Sequence, residues 1–239
     1  MDLHIDVVTL FPGFFSSPLS ESLLKRAQRE KKLRIAVHNL RDYTRDRHKT
    51  ADDKPFGGGA GMVMKVEPIF ECLEAIRAGR AKTPCPRSPR GWTVLMGPQG
   101  VPLSQRLVEK LAKKKRLILI AGHYEGVDHR VREHLADQEI SIGDFVTMGG
   151  EAPALCLIEA VARYVPGVLG NTESLKDESF RSGGLEYPQY TRPREYRGWK
   201  VPEVLMSGDH AEVEKWRARE AARLTRECRP DLLKRPRKR

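Results

Sequence analysis

Apolar positions along this chain recur in two alternating rhythms. Short apolar runs at Leu3 to Leu10, Leu33 to Val37, Trp92 to Met96, Leu117 to Ala121 and Glu139 to Ile142 predict strands. Between them apolar residues return at helical spacing: Leu23, Leu24 and Ala27; Ile69, Leu73 and Ile76 after a start at Pro68; Leu103, Leu107 and Leu111; Leu155, Ile158 and Ala162. That alternation is the signature of an α/β domain with a mostly parallel sheet, here filling residues 1–169. The stretch from Thr83 to Gly91, with Pro84, Pro86 and Pro89, reads as a connector. From Gly170 to Gln189 the periodicity disappears, which predicts a mobile linker over 170–189 whose order depends on substrate. A helical pattern resumes over His210 to Thr225, inside a small, mainly helical C-terminal domain at 190–239.

Composition narrows the setting. With 239 residues and 39% hydrophobic content the chain can bury a core without staples. No apolar stretch approaches the roughly 20 residues of a membrane span, and Met1-Asp2-Leu3-His4 lacks the pattern of an export signal. The expectation is a cytoplasmic protein with no membrane partner. Cys72, Cys85, Cys156 and Cys228 form no Cys-x-x-Cys pair, so disulfides and structural zinc are not expected. Cys72 and Cys156 fall among apolar residues at helical spacing and are expected in the core.

Charge adds a partner. The formal net charge is +11, and Thr191 to Arg239 alone holds 15 Lys+Arg against 8 Asp+Glu. Cationic surface gains affinity for phosphates by releasing their condensed counterions, so a nucleic acid is the natural partner. Tyr190, Tyr196, Trp199 and Trp216 interleave with these charges and strengthen that reading, whereas Lys234 to Arg239 alone reads as a solvated tail.

Three glycine-rich loops follow predicted strands: Gly97-Pro98-Gln99-Gly100, Gly122-His123-Tyr124-Glu125-Gly126, and Ile142 through Gly150-Glu151. Ligands of open α/β sheets bind at the carboxyl ends of strands, where glycine lets the backbone approach closely. Any one loop is more simply a tight turn; three at successive strand ends read as a pocket. The chain has no P-loop and no dinucleotide fingerprint, and Gly57-Gly58-Gly59-Ala60-Gly61 fits neither. Backbone polar groups with apolar walls suit a nucleoside carrying little phosphate, such as the adenosine end of S-adenosyl-L-methionine.

The runs Leu10-Phe11-Pro12-Gly13, Gly57 to Met64, Gly97 to Gly100, Gly122 to Asp128, Ile142-Gly143-Asp144-Phe145, Gly149-Gly150-Glu151, Pro166 to Gly170 and Tyr190-Thr191-Arg192-Pro193 occur in this order across nearly the whole chain. Together they resemble the bacterial tRNA (guanine-N1)-methyltransferase family, TrmD, of the SPOUT superfamily. The resemblance implies methylation of N1 of guanosine 37 in tRNA by a homodimer whose α/β fold carries a deep trefoil knot. It implies S-adenosyl-L-methionine contacts at Pro98, Gly122, Tyr124, Glu125 and Gly126, along Ile142, Gly143, Asp144, Phe145, Val146 and Thr147, and beside Gly149 and Gly150. The C-terminal domain of one subunit is expected to close over the cofactor of the other. No metal ligands are assigned, although the resemblance implies that Mg2+ assists.

The chemistry calls for an acid-base pair. Guanine N1 carries a proton and attacks a sulfonium methyl poorly until that proton leaves. A carboxylate can accept it, while a cation near O6 stabilises the charge that develops there. By resemblance Arg163 is the cation, and the base is the acid directly before Ser179-Phe180. The family usually has aspartate in that register; this chain has Glu178 there and Asp177 one place earlier, so both stand as candidates with Glu178 favoured. Thr147-Met148 also departs from the leucine and small hydroxyl residue common there. Without the family register these acids and Arg163 would read as ordinary solvated side chains. His129 and His134, five apart, do not share a helix face as ligands would; His123 reads as a turn residue beside the pocket, with ligand contact as the alternative. Two competing functions are methylation of a ribose hydroxyl or another base, and RNA binding without catalysis.

Overall fold

The computed structural model describes residues 2–83, 91–171, 175 and 178–233. Two compact units emerge, Met1–Gly170 and Asn171–Arg239. The first runs β1 (Leu3–Thr9), α1 (Ser16–Leu19), α2 (Ser22–Arg29), β2 (Leu33–Asn39), β3 (Asp52–Asp53), β4 (Val63–Met64), α3 (Val66–Arg77), β5 (Trp92–Pro102), α4 (Gln105–Ala112), β6 (Arg116–Ala121), β7 (Gln138–Ser141) and α5 (Glu151–Ala162). Five of these strands form one sheet in the order β2-β1-β6-β5-β7, with every neighbouring pair parallel.

The pleat explains the apolar runs. On one face Leu3, Ile5, Val7, Val94, Leu117 and Leu119 pack beneath α2, α4 and α5. On the other, Val8, Leu95, Ile118 and Ile120 pack against Ile69, Leu73 and Ile76 of α3. Central strands of a parallel sheet are covered on both sides, so they read as continuous apolar segments rather than alternating ones.

Local chemistry sets the helix limits. The Ser104 hydroxyl accepts from the Leu107 amide at 3.4 Å, so α4 starts at Gln105 and Leu103 lies outside it. Helix α3 begins two residues before Pro68, which sits in the first turn where its missing N–H leaves no intrahelical bond unmade. Strand β5 extends well past the expected Met96. Met96 and Val101 both pair with Ile140, so Gly97-Pro98-Gln99-Gly100 is a four-residue excursion after which the strand resumes.

Cys72 is buried as expected, but Cys156 is exposed. Helix α5 is apolar around most of its circumference, so helical spacing there did not distinguish the buried face from the open one. Cys85 and the prolines of the connector lie outside the described residues.

One charged group interrupts the core. Asp6, at the centre of β1, accepts from Nε of Arg116 at 2.7 Å and pairs with Nε2 of His38 at 2.8 Å. All three side chains are almost fully buried. Burial by itself opposes ionisation of Asp6, yet the hydrogen bonds from His38 and Arg116 outweigh it and hold the carboxyl below its ordinary value.

The second unit contains β8 (Glu195–Tyr196), β9 (Trp199–Lys200) and α6 (His210–Cys228). Asp209 caps α6 by accepting from the amides of Ala211 and Glu212. Within the aperiodic stretch, the Leu185 amide donates to Oγ1 of Thr225 at 2.9 Å and the Glu186 amide to Oγ of Ser179 at 3.0 Å. Trp216 is 8% exposed and packs near Tyr190, so it serves the core of this unit rather than offering a free ring. Among the described residues no helix is long and apolar enough to cross a membrane.

Removing Asp6 takes the carboxylate away from the buried Arg116 guanidinium and a hydrogen-bond partner away from His38. Asp6→Ala is expected to cost about 3–5 kcal/mol in urea unfolding at pH 7, and a loss under about 1 kcal/mol would contradict the buried-pair account. Because the native value lies below the ordinary 3.8, this contribution is complete above pH 3.8 and disappears as pH falls through the depressed native value.

Candidate active site

The excursion within β5 and the loops after β6 and β7 meet and enclose a pocket of about 310 Å³. Its wall includes Pro98 from the first loop, Gly122, Tyr124, Glu125 and Gly126 from the second, and Ile142, Gly143, Phe145, Val146, Thr147, Gly149 and Gly150 from the third. Twelve of the thirteen expected cofactor positions are therefore brought together. Asp144 is on the same loop, but it is exposed and absent from the wall.

Two glycines make this convergence sterically possible. A Cβ on Gly100 would run into the backbone of Glu139 and Ile140, so only glycine lets the β5 excursion cross β7. A Cβ on Gly150 would lie 2.8 Å from Cα of Ala121 and from the Gly122 amide nitrogen. In its absence the Gly150 amide donates to the Gly122 carbonyl at 2.6 Å, joining the start of α5 to the end of β6.

The run from Gly57 to Met64 has a supporting part. It leads into β4, which binds the second pocket loop through its backbone: Glu125 N–H to Met62 O at 3.1 Å, Met64 N–H to Gly126 O at 2.9 Å, and Asp128 N–H to Met64 O at 2.9 Å. Glu125 lies so close over Gly61 that a Cβ there would fall 2.6 Å from its carboxylate. With this ladder in place, Tyr124 is held at φ +61°, a left-handed conformation that costs a non-glycine residue of order 1–3 kcal/mol. Asp128 is bound bidentately by Arg130, whose hydrogen bonds hold the carboxyl below its usual range.

The structure also shows wall residues that the sequence did not single out. Arg132 reaches Gln99 at 2.8 Å and Glu139 at 2.8 Å, tying the first loop to β7. His123, read as a turn residue, lines the pocket. Its Nδ1 faces Glu151 at 3.4 Å, and its ring lies 4.6 Å from that of Phe11. Glu151 is 3% exposed and also accepts from the Thr9 hydroxyl at 2.7 Å. The Phe11 and Gly149-Gly150-Glu151 motifs were visible as sequence, but their meeting depends on β1 and α5 lying side by side, which spacing does not report.

Arg163, the expected cation, is not part of this wall. Arg163 caps the far end of α5, and at 1.5 Å per helical residue that end is roughly 20 Å from Gly150 at the pocket. Glu178 belongs to the second unit, half-buried, with its carbonyl accepting from the Arg181 amide at 3.3 Å. Asp177 lies outside the described residues. His129 and His134 are exposed on and beside a wide turn at Val131–Leu135, and among the described residues no cluster of His, Cys, Asp and Glu could hold a metal.

A parallel sheet with a pocket of this size across its strands is the ligand-binding arrangement of an α/β enzyme. The profile of the family tRNA (Guanine-1)-methyltransferase TrmD matches residues 3–235, and the chain belongs to that family of methyltransferases. Among its relatives, a tRNA (guanine-N(1)-)-methyltransferase of Desulforamulus reducens is 49% identical over 232 residues, covering 97% of this chain and 89% of the relative. Proteins of the same name from Geotalea uraniireducens and Dehalococcoides mccartyi are 52% and 50% identical over 231 residues, each covering 97% of this chain and 90% of the relative.

Two glycine substitutions separate the constrained positions from the open ones. Gly150→Ala is expected to lower stability by about 1–3 kcal/mol, because the new methyl meets backbone that cannot yield. Gly170→Ala, with nothing within 4 Å and an ordinary φ, should stay within about 0.5 kcal/mol of the parent. Denaturant unfolding of both variants checks the contrast.

Proposed function

We propose that this enzyme transfers a methyl group from S-adenosyl-L-methionine to N1 of guanosine 37 in tRNA, giving 1-methylguanosine. The observation that carries the proposal is the pocket itself, three loops closing on one nucleoside-sized space in a chain of this family. Its residues fit such a group. Backbone amides and carbonyls at Gly122, Gly126 and Gly143 are unshielded by side chains of their own, Ile142 and Val146 supply apolar wall, and Glu125 offers a carboxylate to ribose hydroxyls. Bound there, S-adenosyl-L-methionine supplies a methyl carbon on cationic sulfur, activated without a metal.

The protein's work is to position the base and move one proton. The Glu178 carboxylate, with Asp177 as its competitor, accepts the N1 proton of guanine, and the Arg163 guanidinium balances the negative charge that shifts to O6. The separation of Arg163 from the pocket along α5 supports an active site shared between two subunits, each supplying Arg163 and the linker acid to its partner's pocket. The β5 excursion and the return of α5 beneath Gly122 support the trefoil knot of the SPOUT fold. The basic unit at Asn171–Arg239 supplies the tRNA-binding surface, magnesium assists, and the enzyme acts in the cytoplasm on soluble tRNA.

Methyl transfer from labelled S-adenosyl-L-methionine to a tRNA transcript with guanosine at position 37 is expected, with none to the same transcript carrying adenosine there. Equal labelling of both, or 2′-O-methyl product, would overturn the assignment. Glu178→Gln should lose far more turnover than Asp177→Asn while both keep cofactor binding, and the reverse ranking would transfer the role. Arg163→Ala should lower turnover about 100-fold or more, the scale of one preorganised charge stabiliser, and near-normal turnover would remove it from the mechanism.

A further inference from the structure

The second unit carries a feature that its packing does not use. Strands β8 and β9 form a hairpin of two residues each, pairing Glu195 with Lys200 and Tyr196 with Trp199. The turn between them is Arg197-Gly198, both at positive φ (+53° and +85°), as a two-residue turn matched to strand twist requires. A ladder this short is not stable by its own hydrogen bonds. What accompanies it is a ring pair: Tyr196 and Trp199 lie on one face with centroids 5.9 Å apart, and the Arg197 guanidinium sits 5.3 Å from the Tyr196 ring. Every residue over 189–200 is exposed, Trp199 to 72%.

Charge separates this surface from the rest of the unit. On α6 three of the five cations are matched by acids a turn away: Lys215 with Glu212, Arg217 with Glu214, and Arg223 with Glu220 and Glu227, and its four acids leave it a net charge of only +1. On the hairpin only Lys200 has such a partner, Glu195 at 3.9 Å, while Arg192, Arg194 and Arg197 have no acidic partner among the described residues. The helix is nearly self-compensated; the hairpin projects its positive field outward.

We propose that the Tyr196–Trp199 face is a stacking platform for an unpaired nucleotide of the RNA substrate, with Arg192, Arg194 and Arg197 holding the flanking phosphates. An exposed ring pair bordered by uncompensated guanidinium groups matches a base with its backbone, since every base offers a π face and each neighbouring phosphate a charge. An apolar protein partner would leave those three arginines unanswered. The proposal rests on the reading of this chain as a tRNA-modifying enzyme.

The test uses the full chain and a tRNA transcript across a salt series. Trp199→Ala is expected to weaken binding about 10-fold, the scale of one lost stacking contact, without changing the slope of log Kd against log salt. Trp199→Phe should recover most of the affinity, and Arg197→Gln should reduce the slope by about 1. Binding of S-adenosyl-L-methionine by all three should match the parent, which separates a lost contact from a lost fold. Parental RNA affinity in Trp199→Ala would overturn the platform while leaving the methyl-transfer reading intact. So would a Phe variant as weak as the Ala variant, or a defect confined to association between protein chains. A parent chain that binds no tRNA at all would overturn both.

Discussion

Two contacts of backbone against backbone govern the site. Gly150 lies on Ala121 and Gly122, and Gly100 lies on Glu139 and Ile140, at distances that exclude any side chain. Their consequence is geometric: the β5 excursion and the ends of β6 and β7 are drawn to one point, and α5 begins there. Packed backbone of this kind is stiff, so the loops that follow inherit its precision. The left-handed Tyr124, the β4 ladder behind it and the Glu151–Thr9 hydrogen bond all lie within the frame that these glycines permit.

The same molecule treats charge in three ways. In the sheet, Asp6 binds Arg116 and His38 in a dry environment where removing the carboxylate is costly. Along α6, exposed pairs at helical spacing contribute little energy each and chiefly cancel one another's field. At the β8–β9 hairpin the cations are left uncancelled. Among the described residues of this unit, the hairpin is where such cations and open aromatic rings stand together.

How much could be read from the chain follows from what periodicity encodes. Strands buried on both faces leave runs such as Leu117 to Ala121, and four of the five appeared within two residues of their observed limits. Twelve of the pocket-wall positions were visible because three glycine-rich loops followed successive strands, and the family pattern named them. Cys156 was misjudged because α5 is apolar on most sides, and β5 was cut short because glycine and proline announce an interruption without saying that the strand resumes. The contact of His123 with Glu151 joins residues 28 apart, and that of Thr9 with Glu151 joins residues 142 apart; both depend on topology that no local pattern carries.

Helix α5 starts beside the pocket at Gly150 and ends at its cap, Arg163. The proposed division of the site between two chains accounts for a separation of roughly 20 Å along α5 between the pocket and Arg163. Mixing two inactive variants measures this directly: Arg163→Ala with Glu125→Lys, the latter setting a cation in the pocket wall against the sulfonium. If the site is shared, half of the re-formed dimers are mixed and each holds one intact site, so activity returns to about one quarter of the parent level. Activity that stays at the level of the separate variants would contradict the shared site.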